Sequence, residues 1–436
     1  MVSYRKVSGI LEYCWGNFEE SEENFVGGEA LLGSKATDFA GRPYLFSYEG
    51  FGVFGLPGFP PAFRLYKKLT IKAMAFFSHH RRDELQEAAY RAVEMMEQEF
   101  DKRNGEAFDP KLTLYHVVWT IMGYICYGRF FKPEDPEVAE ILSTADEFGK
   151  AVMFGVLYDY LPWTKVFMRN QLQRYMRLTD KIFEQSRKLA AANVKNWDGH
   201  SMRNLADMFW KADRDMDPAE KESLEIGEET LKDMLTNLFG AGFATVAVTL
   251  KWSFLYMAKH SEIQDKLHSE IVSTLGRTNR PTFADQDKLP YATAVLTEVY
   301  RASSMASLAM THATTKDTSL QGHSIPKNTP VVCNLYSAHY DEIYFPRPDE
   351  FNPQRFLTSS GQLDKAQCDL VLPYGLGVRR CGGEVLARLE IWLFFVAIFQ
   401  RWEVVPGLGE KLDPTDYRFG LGLDPKPFKV AFRRRV

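Results

Sequence analysis

The sequence of 436 residues lacks the cysteine spacing of a zinc site or of a disulfide framework. No two of its cysteines form a C-x-x-C pair, and their odd number fits a reducing compartment; they are Cys14, Cys126, Cys333, Cys368 and Cys381. The sequence also lacks an excess of charge of one sign, because its formal net charge is -4. This balance argues against a nucleic-acid-binding protein.

Long apolar runs are also missing. No signal-peptide run follows Met1, and the most apolar stretch, Ile391 to Phe399, is too short to span a bilayer. We therefore expect no transmembrane anchor in this chain. There is no internal repeat, and 45% hydrophobic residues with 14% aromatics permit one large domain.

Apolar residues at helical spacing dominate the chain up to about residue 303. Alternating residues and turn signals then predict short strands at 314–332 and again in the tail from Trp402. The predicted fold is mainly α with a small β part. Its predicted helices lie at 63–74, 83–102, 111–128, 136–156, 165–193, 229–260, 262–275 and 285–302.

A glycine-rich loop, Tyr374 to Gly383, runs into the apolar helix that follows it. We expect Cys381 to lie on the first turn of this helix, where backbone N–H groups, the helix dipole and two arginines favour thiolate, the form that ligates metal. A lone cysteine beside a helix is more often a buried small hydrophobe. The order of residues in the loop favours the metal ligand: Tyr374, Gly377, Arg379, Cys381 and Gly383.

This order resembles the haem-thiolate loop of the cytochrome P450 family. The resemblance implies the P450 fold over a single domain, residues 1–436, and haem b with Cys381 as the axial thiolate ligand of iron. Two residues depart from the family pattern, since Tyr374 stands where phenylalanine is usual and Gly382 where a larger residue is usual.

Three further residues match the family's structural ion network. Glu298 and Arg301 lie three apart on one helix face, and Arg355 follows in Phe351-Asn-Pro-Gln-Arg355-Phe356. The resemblance implies that two guanidinium groups on one carboxylate lock the cysteine loop to the core. These residues are therefore expected to be structural and not catalytic.

The run Ala241-Gly242-Phe243-Ala244-Thr245 falls in the middle of a predicted helix. On its own this run is more typical of a tight contact between helices. The resemblance places Thr245 on the side of the iron where oxygen reacts, as a catalytic residue. It also exposes a departure, because Ala244 stands where the family has an acid that takes part in proton supply.

The resemblance implies four contacts to the haem propionates. Phe63 and Lys67 occupy the places of the family's Trp-x-x-x-Arg pair, and His312 and Arg379 match two further contact positions. Lys67 keeps the charge of arginine but not its bidentate fork. A lone histidine such as His312 is otherwise most often a satisfied polar residue.

The implied function is monooxygenation of a small apolar substrate, with electrons from NADPH through cytochrome P450 reductase. Basic side chains would dock the reductase, although a solvated basic face explains them equally well: Arg64, Lys68, Lys72 and Arg380. Two alternatives remain open. One is a P450-type isomerase or dehydratase that does not activate dioxygen, and the other is a haem or ligand binder with little turnover.

The resemblance further implies the cytosolic face of the endoplasmic reticulum membrane. The first 36 residues are shorter than the family's N-terminal part, so its anchor and first strands are expected to be missing or reduced. Peripheral membrane contact is predicted through the apolar break at residues 157–168, which carries Trp163 and Phe167.

Overall fold

The structure is a computed structural model of the chain. It describes residues 35–44, 57–132, 142–148, 161–320, 322–420 and 422–435, two strands before residue 14, and the single residues 55, 135, 138, 140 and 159. Most of these residues are helical, which confirms the predicted mainly α fold with a small β part.

Twelve α-helices have bounds within the described residues. They are α1 Pro61–His79, α2 Arg82–Arg103, α3 Lys111–Tyr127, α4 Arg169–Lys195, α5 Leu205–Asp215, α6 Pro218–Ser223, α7 Glu228–Lys259, α8 Ser261–Leu275, α9 Pro290–Ser303, α10 Leu335–His339, α11 Lys365–Asp369 and α12 Glu384–Arg401. Short 3₁₀ helices occur at Pro162–Val166, Phe283–Lys288, Pro353–Phe356 and Gly377–Arg379.

The strands form five two-stranded antiparallel sheets. The pairs are β1 Tyr4–Val7 with β2 Ile10–Tyr13, β3 His312–Ala313 with β6 Pro330–Val331, β4 Thr318–Leu320 with β5 His323–Ile325, β7 Trp402–Pro406 with β10 Val430–Arg434, and β8 Tyr417–Phe419 with β9 Leu423–Pro425. Strands were predicted at 314–332 and after Trp402, and both regions contain them.

Most predicted helices are present within a few residues of their expected ends. Two begin later than expected because a 3₁₀ turn comes first. The helix predicted from residue 285 begins at Pro290, whose missing N–H and fixed φ suit the first helical position. The helix predicted from 165 begins at Arg169. Of the predicted helix 136–156, residues 142–148 are helical and most of the remainder lies outside the described residues.

Helix α7 passes through the core. Among the described residues it is the helix whose length and composition would permit it to cross a membrane, yet 67% of its most apolar stretch is buried inside the protein. Taking Ile391 to Phe399 as the most apolar stretch therefore overlooked this helix. Extensive burial identifies α7 as a core helix, which is apolar because protein surrounds it.

Gly242 allows α7 to pack closely against α3. A Cβ atom at this position would lie 2.6 Å from the Cε of Met122. A larger residue would require the flexible end of the Met122 side chain to move. For Gly242 the structure therefore shows a close contact between helices.

The predicted ion network is present and buried. Arg301 donates two hydrogen bonds to the carboxylate of Glu298, from Nε at 2.7 Å and from Nη2 at 2.9 Å. The Nε of Arg355 donates to the same carboxylate at 3.2 Å, and the backbone N–H of Asn352 does so at 2.7 Å. The side chains of Glu298 and Arg301 are 0% exposed. No substrate can reach them, so their position suits a structural role.

His339 connects this network to the chain that enters the cysteine loop. Arg301 donates to the carbonyl oxygen of His339 at 2.9 Å, while the backbone N–H of Leu372 donates to its Nε2 at 2.9 Å. Its Nδ1–H donates to the hydroxyl oxygen of Ser304 at 2.8 Å. Burial lowers the pKa of His339 to about 3, so the ring stays neutral and Nε2 remains an acceptor.

Removing one partner from a buried ion network costs about 3–5 kcal/mol, a large part of a typical folding free energy. The network thus fixes the position of the loop that carries Cys381.

Candidate functional site

The loop from Tyr374 to Gly383 turns sharply at two glycines. Gly375 and Gly377 both have φ of +68°, a left-handed conformation that other residues adopt only with strain. The backbone N–H of Cys381 donates to the carbonyl oxygen of Tyr374 at 2.9 Å and closes the loop. Helix α12 begins at Glu384. The prediction that Cys381 lies on the first helical turn was therefore wrong by three residues.

The surroundings of Cys381 act on its thiol in opposite directions. Although part of the side chain is exposed, the protein packed around the sulfur removes water and raises the pKa of the thiol. Hydrogen bonds from the backbone N–H groups of Gly383 and Glu384 lower that pKa, as does the charge of Lys67. Burial is the larger effect, so deprotonation depends on a further cation at the sulfur, which a metal ion supplies.

The two arginines of the loop have different partners. Arg380 pairs with Glu384, with 2.6 Å between Nη2 and Oε1; this hydrogen bond raises the pKa of Arg380, and the negative charge of a Cys381 thiolate adds to that rise. Arg379 turns inward, where it donates to the carbonyl oxygens of Ala40 at 2.8 Å and Gly58 at 3.3 Å. The expected attraction between the thiolate and a loop arginine is therefore present for Arg380, although Glu384 shares that arginine.

Phe63 supports the inward arginine. The guanidinium carbon of Arg379 lies 3.6 Å from the centroid of the Phe63 ring and 5.2 Å from that of Phe59. The face of an aromatic ring attracts a cation electrostatically. Phe63 lacks the indole N–H of the family's tryptophan, but its ring fixes the arginine beside it.

Lys67 binds the cysteine loop itself. Its Nζ donates to the carbonyl oxygen of Val378, the residue before Arg379. Burial lowers the pKa of Lys67, and the positive charge of Arg379 lowers it further. A negative group placed between these two cations would relieve their repulsion.

His312 and Arg42 complete the same cluster. The Nδ1–H of His312 donates to the carbonyl oxygen of Phe39 at 2.8 Å, which leaves Nε2 for any further partner. Burial lowers the pKa of His312 to about 3, and the charge of Arg42 adds to the effect. The Nη1 of Arg42 donates to the carbonyl oxygens of Met310 at 2.7 Å and Thr311 at 2.9 Å.

Sequence reasoning missed Arg42. Its only local signal is the run Gly41-Arg42-Pro43, which reads as a turn. Gly41 pairs with Ala313 across a β-bridge, and this pairing brings Arg42 beside His312. The carbonyl groups that Arg42 contacts lie about 270 residues away in sequence, so only the folded chain identifies these hydrogen bonds.

The cluster fits a ligand with carboxylate groups. The Nη1 of Arg379 is buried with no hydrogen-bond partner among the described residues. In the same part of the chain neither Lys67 nor Arg379 forms an ion pair with a carboxylate. Haem carries two propionate carboxylates, and the donors that converge here suit them. The structure thus brings together Phe63, Lys67, His312 and Arg379, the four residues that the sequence assigned to this role.

Thr245 lies on an exposed face of α7. It is exposed although it falls in the middle of the core helix α7, and Ala241, one turn earlier, is exposed on the same face. The hydroxyl of Thr245 donates to the carbonyl oxygen of Ala241 at 2.7 Å. Its proton is therefore engaged, and its oxygen can accept a hydrogen bond from a water molecule or a ligand.

Two of the departures from the family pattern, Ala244 and Gly382, have different surroundings. Ala244 is partly buried and packs against the main core. A Cβ atom on Gly382 would lie 3.1 Å from the Cγ2 of Thr70, so a larger side chain there would require Thr70 to shift. The absence of a side chain at Gly382 thus permits the close approach of α1 to the loop.

We predict that Arg379→Leu weakens haem retention. The substitution removes a buried cation that suits a propionate, and a hydrogen bond to a charged group contributes about 1.5–3 kcal/mol, so haem transfer to apomyoglobin should be about tenfold faster or more. Arg380→Leu, in the same loop but paired with Glu384, is the matched control and should release haem at the wild-type rate. Equal rates for all three proteins would show that Arg379 does not hold the haem.

Comparisons with known proteins agree with this geometry. The sequence profile of the family Cytochrome P450 matches residues 29–432. The chain is 31% identical over 423 residues to Cytochrome P450 1A1 of Platichthys flesus, with 93% of this chain and 81% of that protein covered. It is also 31% identical over 407 residues to Cytochrome P450 1A1 of Rattus norvegicus, with 91% and 77% covered. The chain therefore belongs to the cytochrome P450 family of haem-thiolate monooxygenases.

Proposed function

We propose that this monooxygenase inserts one oxygen atom of dioxygen into a small apolar substrate, such as a steroid, a fatty acid or a xenobiotic arene. Electrons would come from NADPH through cytochrome P450 reductase. The observation that carries the proposal is the convergence of Cys381 with a cluster of donors that suits haem propionates. The relatives bear the name Cytochrome P450 1A1, which supports an enzyme of the same chemistry.

Each site residue has a defined part in this proposal. Cys381 would ligate the haem iron as thiolate, Lys67, His312 and Arg379 would hold the propionates, and Phe63 supports Arg379. Bound haem supplies the activation of dioxygen, to which a thiolate ligand contributes electron density. Thr245 would accept a hydrogen bond from a water molecule on the side where the substrate binds, and would so orient the water that supplies protons.

The proposed electron transfer requires a partner protein that docks near the cysteine loop. Arg64, Lys68 and Lys72 are exposed on α1, the helix whose Lys67 contacts the cysteine loop. Arg380 is exposed too, although its charge is partly balanced by Glu384. Opposite charges steer association, so this basic surface supports docking of the reductase.

We propose that residues 1–436 form a single domain that touches the endoplasmic reticulum membrane from the cytosolic side. Trp163, Val166 and Phe167 are 64%, 78% and 78% exposed, and they lie together in and just after a 3₁₀ helix. Such grouped apolar exposure is typical of a binding surface. Leu157, Tyr158 and Tyr160, which the sequence analysis included, lie outside the described residues.

Vesicle flotation tests the membrane contact. We expect partial binding that resists salt, since apolar burial is not screened, and that falls in Trp163→Ser. Leu408→Ser is the control, because Leu408 is a fully exposed apolar residue that lies far along the chain, after β7. Equal flotation of the three proteins would contradict docking through this surface.

Ala244 affects the efficiency of this reaction. Successive residues of a helix lie about 100° apart, so an acid at position 244 would not stack on Thr245 and would instead relay protons around the helix. Alanine cannot relay protons, whereas Thr245 still orients water. We therefore expect turnover in which part of the reducing power escapes as hydrogen peroxide.

The substitution Ala244→Asp should raise the amount of product formed per NADPH consumed and lower peroxide release. General acid catalysis typically raises a reaction rate about 10²–10⁴-fold. Proton transfer through water molecules would make the effect of the substitution smaller. The measurement uses purified reductase with naphthalene as the probe. Ala244→Asn, of equal size but without an acid, should resemble the wild type. A well-coupled wild-type enzyme that Ala244→Asp impairs would show that protons enter elsewhere.

A further inference from the structure

Helix α1 presents a basic stripe to solvent. The helix carries four arginine and lysine residues and no acidic residue over its 19 residues. Its exposed positions recur every three or four residues along one face: Arg64, Lys68, Ile71, Lys72, Ala75 and His79. Neither Lys68 nor Lys72 forms an ion pair among the described residues. The charge of the basic stripe is therefore not balanced by neighbours within the described chain.

Two apolar side chains are exposed at this stripe. Ile71 is 49% exposed, and Val385 on the first turn of α12 is 51% exposed. Both lie next to the contact between α1 and the cysteine loop, where a Cβ atom on Gly382 would lie 3.1 Å from the Cγ2 of Thr70. Apolar side chains that are exposed together and rimmed by polar ones are typical of a protein–protein interface.

A second exposed patch has the opposite charge. Residues 341–350 and 364–370 together carry six acidic and two basic residues. The Nε2 of Gln367 donates to the carbonyl oxygen of Tyr344 at 2.8 Å and so joins the two segments. The exposed apolar side chains of this acidic patch are Ile343, Tyr344 and Leu370. The acidic patch therefore also combines charge with apolar surface.

The acidic patch and the basic stripe are neighbours. Glu342 and Asp369 of the patch are exposed and form no ion pair within the described part of the chain. The hydrogen bond with Glu384 raises the pKa of Arg380, and the negative charge of Asp369 adds to that rise. Arg380 belongs to the cysteine loop, which α1 also contacts. The two surfaces therefore meet at the outside of this loop.

Neighbouring surfaces of opposite charge on one molecule suit a second copy of that molecule. In a two-fold dimer the same face is used twice, so that residue i of one copy contacts residue j of the other and j contacts i. When the axis passes through the boundary between the two surfaces, each acidic patch faces a basic stripe. Both contacts then bring opposite charges together and cover the exposed apolar side chains.

We propose that the chain forms a two-fold dimer in which the acidic patch of each copy binds the basic stripe of the other. The dimer covers the outside of the cysteine loop and therefore excludes the reductase; this consequence alone rests on the proposed function. The surfaces are small and rich in charge, so the contact is transient, with a Kd on the order of 10 μM at low salt.

Sedimentation velocity of the haem-loaded protein, at concentrations around this Kd, tests the dimer. In about 50 mM salt we expect a dimer whose fraction rises with concentration, and in about 500 mM salt we expect mostly monomer, since salt screens exposed charges. Haem content, followed by the Soret band, checks that each variant is folded.

Charge reversal identifies the surfaces. Glu342→Lys with Asp369→Lys reverses the acidic patch, and Lys68→Glu with Lys72→Glu reverses the basic stripe. In each double variant like charges face each other, so the Kd should rise about tenfold or more. An equimolar mixture of the two double variants should form a mixed dimer, because a wholly basic face then meets a wholly acidic one.

Two further double variants are the matched controls. Glu220→Lys with Glu222→Lys and Lys327→Glu with Lys411→Glu change the net charge by the same amounts at other exposed positions. Both proteins should dimerise with the wild-type Kd.

Three outcomes would overturn the proposal. A wild-type protein that stays monomeric at low salt would show that the two surfaces do not bind each other. Reversed variants that dimerise like the wild type, or whose mixture stays monomeric, would place the contact elsewhere. Species that grow beyond a dimer would show open-ended assembly. Absence of NADPH-dependent turnover would instead contradict the proposed function and leave this test intact.

Discussion

The buried ion network around Glu298 is the constraint on which the rest of the site depends. One carboxylate accepts hydrogen bonds from Arg301 and Arg355, and Arg301 in turn binds the backbone of His339. A neutral His339 then holds the N–H of Leu372, two residues before the cysteine loop. The loop has little helical or sheet structure of its own, so its shape depends on this chain of contacts. Removing one partner would leave a buried charge without its partner, so the members of the network depend on one another.

The site as a whole combines a fixed sulfur with an excess of positive charge. Arg379 binds two backbone carbonyl groups and lies on the ring of Phe63, yet one of its nitrogen atoms has no partner among the described residues. Lys67 holds the loop at Val378. Phenylalanine and lysine therefore replace the family's tryptophan and arginine without loss of the charge cluster. The carboxylates of a bound haem would pair with the charges that the described residues leave without an ion pair.

Much of the fold and of the candidate site could be predicted from sequence, because the patterns that determine them are local. Helical spacing located most helices within a few residues, and the spacing of Glu298 and Arg301 predicted their pairing. Contacts between distant segments could not be predicted. Arg42 reaches its partners through a bridge near Ala313, and Gly242 is set by Met122 of another helix. The position of Cys381 before α12 depends on where the glycine turns end, which periodicity does not determine.

The central claim is that Cys381 ligates the haem iron as thiolate. The most direct measurement is the absorption spectrum of the reduced, carbon-monoxide-bound holoprotein. We expect the long-wavelength Soret band of thiolate ligation in the wild type and in Cys368→Ser, whose cysteine lies outside the loop. Cys381→Ser should bind haem weakly and lack that band. A Cys381→Ser protein that keeps the long-wavelength band would contradict the assignment and the account built on it.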